Sequence, residues 1–233
     1  MSLTYTWLPA DKPDMQHTNL HISSARGSNL VTKDGIKIYD AISSWWCKPL
    51  GHRHPLVINS ILKQLESFEH HIPANACNAT IEELSSRLVG IFTQMDKVMY
   101  ASDGSSAIEI AMKLSYEARV LELQPGRSKF IALAGAYHGE TVFALSVCGI
   151  PRYRAKYQAL IQNNYFINGL PYVSGCADPL WNNCNFDHEY WENFFLQHSP
   201  NSTALIIEPT VQGAAGLKII SPNFLIQLIA LAR

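Results

Sequence analysis

The stretch Tyr100–Lys113, YASDGSSAIEIAMK, places an apolar run directly before a helical pattern. The run ends at small residues around Gly104 and Ser105, and a helical spacing of apolar residues follows from Ala107. The first turn of a helix has unpaired N–H groups and the positive end of the helix dipole, so this order suits an anion, often a phosphate. The alternative is an ordinary helix start with Asp103 or Ser105 as the N-cap.

Strand-like and helical segments alternate along the rest of the chain. The apolar runs 98–101, 129–133 and 203–207 are predicted as buried strands, each followed by a loop and a helical pattern. The run 203–207, TALII, is too continuously apolar for an exposed strand. This order indicates the α/β class, with a mostly parallel sheet and helices on both faces. Residues 149–200 have no clean period and are predicted as a long excursion with short helices.

The first ninety residues contain a hairpin pattern and two helical patterns. Leu30–Ala41 is predicted as a hairpin with a type I′ turn at Asp34-Gly35. Pro55 is placed in the first turn of a helix. A second helix is predicted to begin at Thr80 with the spacing of a capping box. The buried stripe of the first helix is predicted to be Ile58, Ile61, Leu62 and Leu65.

The composition is that of an apolar globular protein with no strong charge. Hydrophobic residues make up 47% and charged residues 16%, and the formal net charge is −1, so nucleic acid and anionic membranes are not expected partners. The start of the chain lacks the basic flank and apolar core of a signal peptide. The five cysteines are scattered without a CxxC pair, which favours reduced thiols and a cytoplasmic location. His52, His54, His70 and His71 lack a nearby carboxylate pattern, so no metal site is predicted.

Three loops follow the three predicted strands: SDGSS at 102–106, AGAYHGE at 134–140 and EPTVQGAAG at 208–216. In open parallel sheets, ligands bind outside the carboxyl ends of the strands, so the three loops are expected to share one site.

Four motifs occur in this order along the chain: LGHRHP at 50–55, GSSAIEIAMK at 104–113, AYHGET at 136–141 and IIEPTVQG at 206–213. Their order and spacing resemble those of the class III pyridoxal-phosphate aminotransferases of fold type I. The resemblance extends from about Trp7 to the last residue. The double tryptophan in SSWW, 43–46, narrows it to the adenosylmethionine-8-amino-7-oxononanoate aminotransferases of biotin biosynthesis. It implies a cytoplasmic homodimer that uses pyridoxal 5'-phosphate and transfers an amino group from S-adenosylmethionine to 8-amino-7-oxononanoate, giving 7,8-diaminononanoate.

The resemblance also assigns roles to five residues. Gly104 and Ser105 would hold the cofactor phosphate, and Tyr137 would lie against the pyridine ring and reach the substrate as the catalytic residue. Trp45 would line the substrate pocket, with Trp46 pointing into the interior from the same extended segment. Glu208 would lie near the cofactor. The alternatives are a core aromatic for Tyr137, a buried interface aromatic for Trp45 and Trp46, and a cap of the next turn for Glu208.

Several positions depart from the family pattern. Asp103 stands where Ser or Asn is usual and would repel a phosphate unless it caps the helix. Ala10 follows Trp7-Leu8-Pro9 where a tyrosine is expected, and Glu140 replaces an aspartate. The family's cofactor-binding lysine and its aspartate partner for the pyridine nitrogen have no counterpart among these residues.

The missing lysine implies the N-terminal part of such an enzyme, inactive by itself. Residues 1–75 would contribute to the small domain and dimer contacts, and 76–233 would form an incomplete cofactor-binding large domain. The last helix is predicted to be capped by Ser221. Poor stability is expected, because this helix would expose its apolar face unless a complementing C-terminal fragment covers it. The residues of that face are Phe224, Leu225, Leu228, Ile229 and Leu231. The alternatives are a non-catalytic remnant, a phosphate-ligand module, or another class III ω-aminotransferase. A dinucleotide-binding domain is excluded because no GxGxxG follows the first strand.

Overall fold

The computed structural model describes residues 20–233, which form two compact units that divide between Gly90 and Ile91. The expected tyrosine position after Trp7-Leu8-Pro9 lies outside the described residues. None of the helices in residues 20–233 is long and apolar enough to cross a membrane.

The N-terminal unit begins with the antiparallel sheet β1 (Ile22–Arg26), β2 (Asn29–Thr32) and β3 (Lys37–Tyr39). The hairpin predicted from Asp34-Gly35 is confirmed, but its turn type is wrong. Gly35 has a positive φ of 81° and Asp34 does not, whereas a type I′ turn needs a positive φ at both central residues. The Gly35 N–H donates to the Thr32 carbonyl, which makes Lys33 and Asp34 the central residues and leaves Gly35 as the left-handed residue after them.

A left-handed helical turn, α1 (Ser43–Trp46), follows the sheet. All four residues have positive φ, between 48° and 63°. The extended segment predicted here is therefore wrong, and with it the expectation that the two tryptophans point to opposite sides. Trp45 is 73% exposed and Trp46 63% exposed, so neither is buried in the described part of the chain.

Helices α2 (Pro55–Leu65) and α3 (Ala79–Ile91) complete the N-terminal unit. Pro55 occupies the first turn of α2 as predicted. The predicted stripe of α2 is nevertheless exposed, because no described part of the unit covers it. The capping box at Thr80 is also wrong: α3 begins one residue earlier, and Asn78 Oδ1 accepts the Ile81 N–H at 3.0 Å. The exposed stripe is Ile58, Ile61, Leu62 and Leu65.

The C-terminal unit places its sheet between helices. Strand β4 (Lys129–Leu133) lies between β5 (Tyr165–Ile167) and β7 (Ser202–Ile206), all parallel. Alternate residues of β4 point to opposite faces. Ile131 and Leu133 pack with the aromatic cluster of α7 (His188–His198) and α8 (Pro222–Ala232), and Phe130 and Ala132 pack with Met112 of α4 (Gly104–Leu121). The parallel sheet with helices on both faces is confirmed.

The remaining elements connect and flank this layer. The short helices α5 (Val142–Ser146) and α6 (Pro151–Arg154) follow β4, and an antiparallel sheet consists of β6 (Tyr172–Val173), β9 (Lys218–Ile220) and β8 (Val211–Gln212). The excursion predicted at 149–200 thus contains β5 and the 11-residue helix α7, which the pattern did not reveal.

Two sequence-based expectations for this unit are wrong. The run 98–101 is not a strand, and Met99 is 63% exposed, because an apolar run becomes a strand only where another strand pairs with it. Ser221 caps α8 through the Phe224 N–H as predicted, but the apolar face of α8 is not exposed. Phe224, Leu225 and Leu228 are at most 5% exposed, because α7 and β4 already cover them.

Candidate active site at the ends of the parallel strands

The loops after β4 and β7 are joined by the carboxylate of Glu208. Glu208 Oε2 accepts the Tyr137 N–H at 2.7 Å, and its Oε1 accepts the Gly213 N–H at 3.0 Å. Both oxygens are therefore engaged by main-chain donors from two different loops. The predicted proximity of these two loops is found. Glu208 holds the main chain of Tyr137 and also the main chain of Gly213, in the turn that follows Glu208.

The start of α4 meets the same loop at Gly139. A Cβ on Gly139 would lie 2.2 Å from Ser105 Oγ, and Gly139 has a φ of 124°. Only a glycine allows the main chain to pass so close to Ser105. All three loops expected from the sequence are thus brought together, with Ser105, Tyr137 and Glu208 in one connected set of contacts.

Two further residues, not singled out from the sequence, support these loops. Glu109 on α4 accepts the N–H groups of Phe143 and Ala144 at 3.2 and 3.4 Å, which ties α4 to the start of α5. The fully buried Gln212 donates to the Ala134 carbonyl at 2.8 Å and accepts the Tyr172 hydroxyl at 2.7 Å. A glutamate inside a helix and a glutamine in a two-residue strand give no sequence signal that distinguishes them from surface residues.

The first turn of α4 keeps donors available. Asp103 is the N-cap: its carboxylate accepts the Ser106 N–H at 2.9 Å and the hydroxyls of Ser106 and Ser102 at 2.7 and 3.0 Å. These donors, the Ser106 N–H first, hold the pKa of Asp103 below its ordinary value. Within residues 20–233 the Gly104 N–H and the Ser105 hydroxyl have no hydrogen-bond acceptor, and a Cβ on Gly104 would meet only open space.

Tyr137 is partly buried beside a carboxylate. Its hydroxyl donates to Glu140 Oε1 at 3.0 Å, and its ring packs edge-on against Tyr153. Burial, with the bond to Glu140, raises the pKa of Tyr137 to about 12, so the phenol keeps its proton at neutral pH. Burial lowers the pKa of His138 to about 4, and within residues 20–233 its buried Nε2 has no hydrogen-bond partner. Burial also raises the pKa of the Cys148 thiol, which packs in the same cluster as Tyr137.

Trp45 belongs to the other compact unit, and its ring stands edge-on to that of Trp46 with the centroids 6.1 Å apart. Residues 20–233 contain no group of three or more histidine, cysteine and acidic residues that could hold a metal ion.

Comparison with known proteins identifies the family. The family model described as aminotransferase class-III matches residues 11–233. The chain belongs to the class III aminotransferases. Adenosylmethionine-8-amino-7-oxononanoate aminotransferases are among its relatives: that of Helicobacter pylori is 33% identical over 100% of this chain and 52% of its own length, and that of Aquifex aeolicus is 33% identical over 95% and 50%.

Solved structures show the same fold. An amine transaminase from an uncultivated Pseudomonas species, crystallised with pyridoxal phosphate, matches with a TM-score of 0.85 and 26% identity over 97% of this chain and 53% of that chain. The adenosylmethionine-8-amino-7-oxononanoate aminotransferase of Methanocaldococcus jannaschii matches with a TM-score of 0.83 and 28% identity over 97% and 50%. The fold type I expected from the sequence is confirmed, and the chain spans about half the length of the relatives it matches.

Proposed function

We propose that this class III aminotransferase chain serves biotin biosynthesis, in the pyridoxal-phosphate-dependent transfer of an amino group from S-adenosylmethionine to 8-amino-7-oxononanoate. The observation that carries the proposal is the similarity of the whole chain to a relative named for that reaction, at 33% identity. The product would be 7,8-diaminononanoate. The same proposal assigns residues 1–75 to a dimer-forming segment and residues 76–233 to a cofactor-binding domain. It also includes a homodimer and a cytoplasmic location.

The residues at the start of α4 fit a phosphate group. The Gly104 N–H and the Ser105 hydroxyl are donors without acceptors at the N-terminus of an 18-residue helix, where the helix dipole favours an anion. Asp103 opposes this fit through its charge, but its carboxylate is turned to Ser106 and Ser102. Gly104 and Ser105 are therefore the residues that would hold the cofactor phosphate.

Bound pyridoxal phosphate would supply the electron sink and the temporary carrier of the amino group. The chain's own residues would position the reacting groups. Tyr137 would present its ring to the cofactor and its neutral hydroxyl, held by Glu140, to the substrate. Glu208 would fix the main chain of Tyr137 through its 2.7 Å hydrogen bond. Such positioning contributes to the reaction rate, because a displacement of a reacting group by about 1 Å slows the reaction.

Trp45 would cover the aliphatic chain of the keto substrate. Its indole is 73% exposed in this chain, so it is available for an apolar contact. Trp45→Ala should weaken binding of 8-amino-7-oxononanoate more than binding of pyridoxal phosphate.

A second candidate, an ω-amine transaminase of the same family, is favoured by the amine transaminase from Pseudomonas, whose TM-score of 0.85 is as high as that of the biotin-pathway enzyme. The two candidates differ in the amino donor. Product formation from 8-amino-7-oxononanoate, followed by mass spectrometry in the holoenzyme containing these residues, separates them. We expect 7,8-diaminononanoate with S-adenosylmethionine as donor, and product only with a simple ω-amine would support the second candidate.

A polypeptide limited to residues 1–233 should not turn over substrate, because its lysines lie outside the family's cofactor-binding motif. The assay is the same product measurement on the purified polypeptide, with and without a complementing C-terminal half of a relative. Turnover by residues 1–233 alone would contradict this part of the proposal.

A further inference from the structure

A carboxylate in the N-terminal unit gathers the donors that shape the tryptophan turn. Asp40 Oδ1 accepts the Ser44 N–H at 3.0 Å, and Oδ2 accepts the Ser44 hydroxyl at 2.9 Å and contacts His52 Nε2 at 2.7 Å. A carboxylate only accepts hydrogen bonds, so His52 Nε2 carries the proton in this contact. The side chain of Asp40 is 5% exposed and that of His52 12% exposed, so these bonds are largely shielded from water.

His52 is itself fixed to the sheet. The N–H and carbonyl of His52 pair with those of Gly27 at 2.8 and 3.0 Å, in an isolated antiparallel bridge. Gly51 lies so close that a Cβ there would be 3.1 Å from the Gly27 main chain. Asp40 follows β3 and its N–H donates to the Ser28 carbonyl at 2.8 Å. Both partners of the carboxylate–imidazole contact are therefore held by the hairpin turn between β1 and β2.

The turn that Asp40 holds is conformationally unfavourable. Residues from Ser43 to Trp46 all have positive φ, which costs free energy for any residue with a Cβ. None of the four is buried among residues 20–233, so packing within the described part of the chain does little to offset that cost. Ser44, the second residue of the turn, donates two hydrogen bonds to Asp40, one from its N–H and one from its hydroxyl. The Asp40 carboxylate thus adds a side-chain restraint to the main-chain hydrogen bonds of the turn that displays Trp45 and Trp46.

We propose that Asp40, supported by His52, is a positioning residue that fixes the left-handed turn Ser43–Trp46 and thereby the affinity of the enzyme for its apolar-chain keto substrate. The proposal rests on the proposed function, because it uses the contact of Trp45 with that substrate. Asp40 does not touch substrate or cofactor. It acts on the main chain of Ser44, and the consequence is the orientation of the neighbouring indole.

The test uses Asp40→Asn in the holoenzyme containing these residues, with Asp34→Asn as the matched control. Asp34 is an exposed carboxylate in the turn of the same unit. The first measurement is the far-ultraviolet circular dichroism signal from coupling of the two indoles, whose centroids are 6.1 Å apart. It is assigned by its loss in Trp45→Phe and in Trp46→Phe. The second is the steady-state kinetics with 8-amino-7-oxononanoate, with pyridoxal-phosphate affinity as an internal control.

We expect Asp40→Asn to lose most of the indole coupling and to raise KM for the keto substrate about tenfold, with kcat changed by less than about twofold. Asp34→Asn should change neither, and cofactor affinity should stay the same in both. His52→Gln should shift both measurements in the same direction by a smaller amount, because Ser44 keeps its bonds to Asp40.

Retention of the coupling in Asp40→Asn would overturn the proposal. Loss of the coupling with an unchanged KM would also overturn it, provided that Trp45→Ala raises KM. If Trp45→Ala leaves KM unchanged while Asp40→Asn loses the coupling, the structural restraint stands and the substrate contact in the proposed function fails instead.

Discussion

Glu208 Oε2 accepts the main-chain N–H of Tyr137 at 2.7 Å, across 71 residues of sequence. The other oxygen of the same carboxylate accepts the N–H of Gly213 at 3.0 Å. One side chain therefore sets the separation of the two loops that leave β4 and β7. The position of the Tyr137 ring depends on this bond, since the ring follows directly from the main chain it restrains.

Removal of the Glu208 carboxylate should loosen this pair of loops. In Glu208→Gln the amide retains only one acceptor oxygen, so one of the two N–H groups loses its partner at a cost of about 1–3 kcal/mol. Urea unfolding measures the loss. Glu192→Gln, an exposed glutamate on α7, is the control and should cost less than about 0.5 kcal/mol. Equal losses in the two variants would show that the bond to Tyr137 contributes nothing.

Gly139→Ala should separate Ser105 from the loop of Tyr137. The new Cβ would lie 2.2 Å from Ser105 Oγ, and the residue would keep a φ of 124° that alanine avoids. We expect a loss of about 3 kcal/mol of unfolding free energy together with weaker cofactor binding. Gly126→Ala is the matched control, because a Cβ there meets no atom within 4 Å. A Gly139→Ala variant as stable as the control would contradict the close approach.

The negative charge of Asp103 should lower the affinity of the N-terminus of α4 for a phosphate group. Asp103→Asn preserves an acceptor for the Ser106 N–H, because Asn is an equally good N-cap, and removes the charge. The amide NH2 also replaces the Oδ2 that accepts the hydroxyls of Ser106 and Ser102. The affinity for pyridoxal phosphate should rise about two- to fivefold, and that for pyridoxal, which lacks the phosphate, should not change. Asp187→Asn makes the same change at the N-cap of α7 and should affect neither. Tighter binding of pyridoxal as well would locate the effect elsewhere.

The buried His138 should make stability fall in mild acid. Its folded-state pKa of about 4 lies below the ordinary value of 6.5. Between these two pH values the unfolded chain therefore binds a proton at His138 that the folded chain does not bind. The contribution is fully present above pH 6.5 and is lost as pH falls toward 4, up to about 3 kcal/mol. Denaturant unfolding between these pH values should show a flatter profile for His138→Asn than for the wild type. The same slope in both, or a flatter one in His70→Asn at an exposed histidine, would contradict this.

The sequence predicted the elements whose signals are local. Strand β4 was predicted at its observed bounds from a short apolar run, and α8 from Ser221 and Pro222 at its start. Pro55 likewise located the start of α2. In each case a capping residue, a proline or a continuous apolar run determines the conformation without reference to distant residues.

Errors arose where the partner, not the segment, decides the outcome. The apolar run at 98–101 is not a strand, the stripe of α2 is exposed, and the face of α8 is buried. Apolar periodicity shows which side of an element is to be covered but not which segment covers it. The left-handed turn at Trp45 was missed because residues with a Cβ rarely adopt a positive φ, so no residue type in Ser43–Trp46 signals it.

The candidate site was predicted as three loops at one sheet edge, and their mutual contacts are those of Ser105 with Gly139 and of Tyr137 with Glu208. The supporting residues Glu109 and Gln212 could not be found, since their partners are main-chain groups 34 and 78 residues away. The roles of Gly104, Ser105, Tyr137, Glu208 and Trp45 toward cofactor and substrate stay predictions.

The half-reaction with the amino donor tests the central claim most directly. The holoenzyme containing these residues is mixed with S-adenosylmethionine alone, and the absorbance of bound pyridoxal phosphate is followed until it converts to the aminated form of the cofactor. We predict full conversion with S-adenosylmethionine, and reversal when 8-amino-7-oxononanoate is then added. Conversion by a simple ω-amine with no change on adding S-adenosylmethionine would contradict the assigned amino donor, and failure of 8-amino-7-oxononanoate to reverse the conversion would contradict the assignment to biotin biosynthesis.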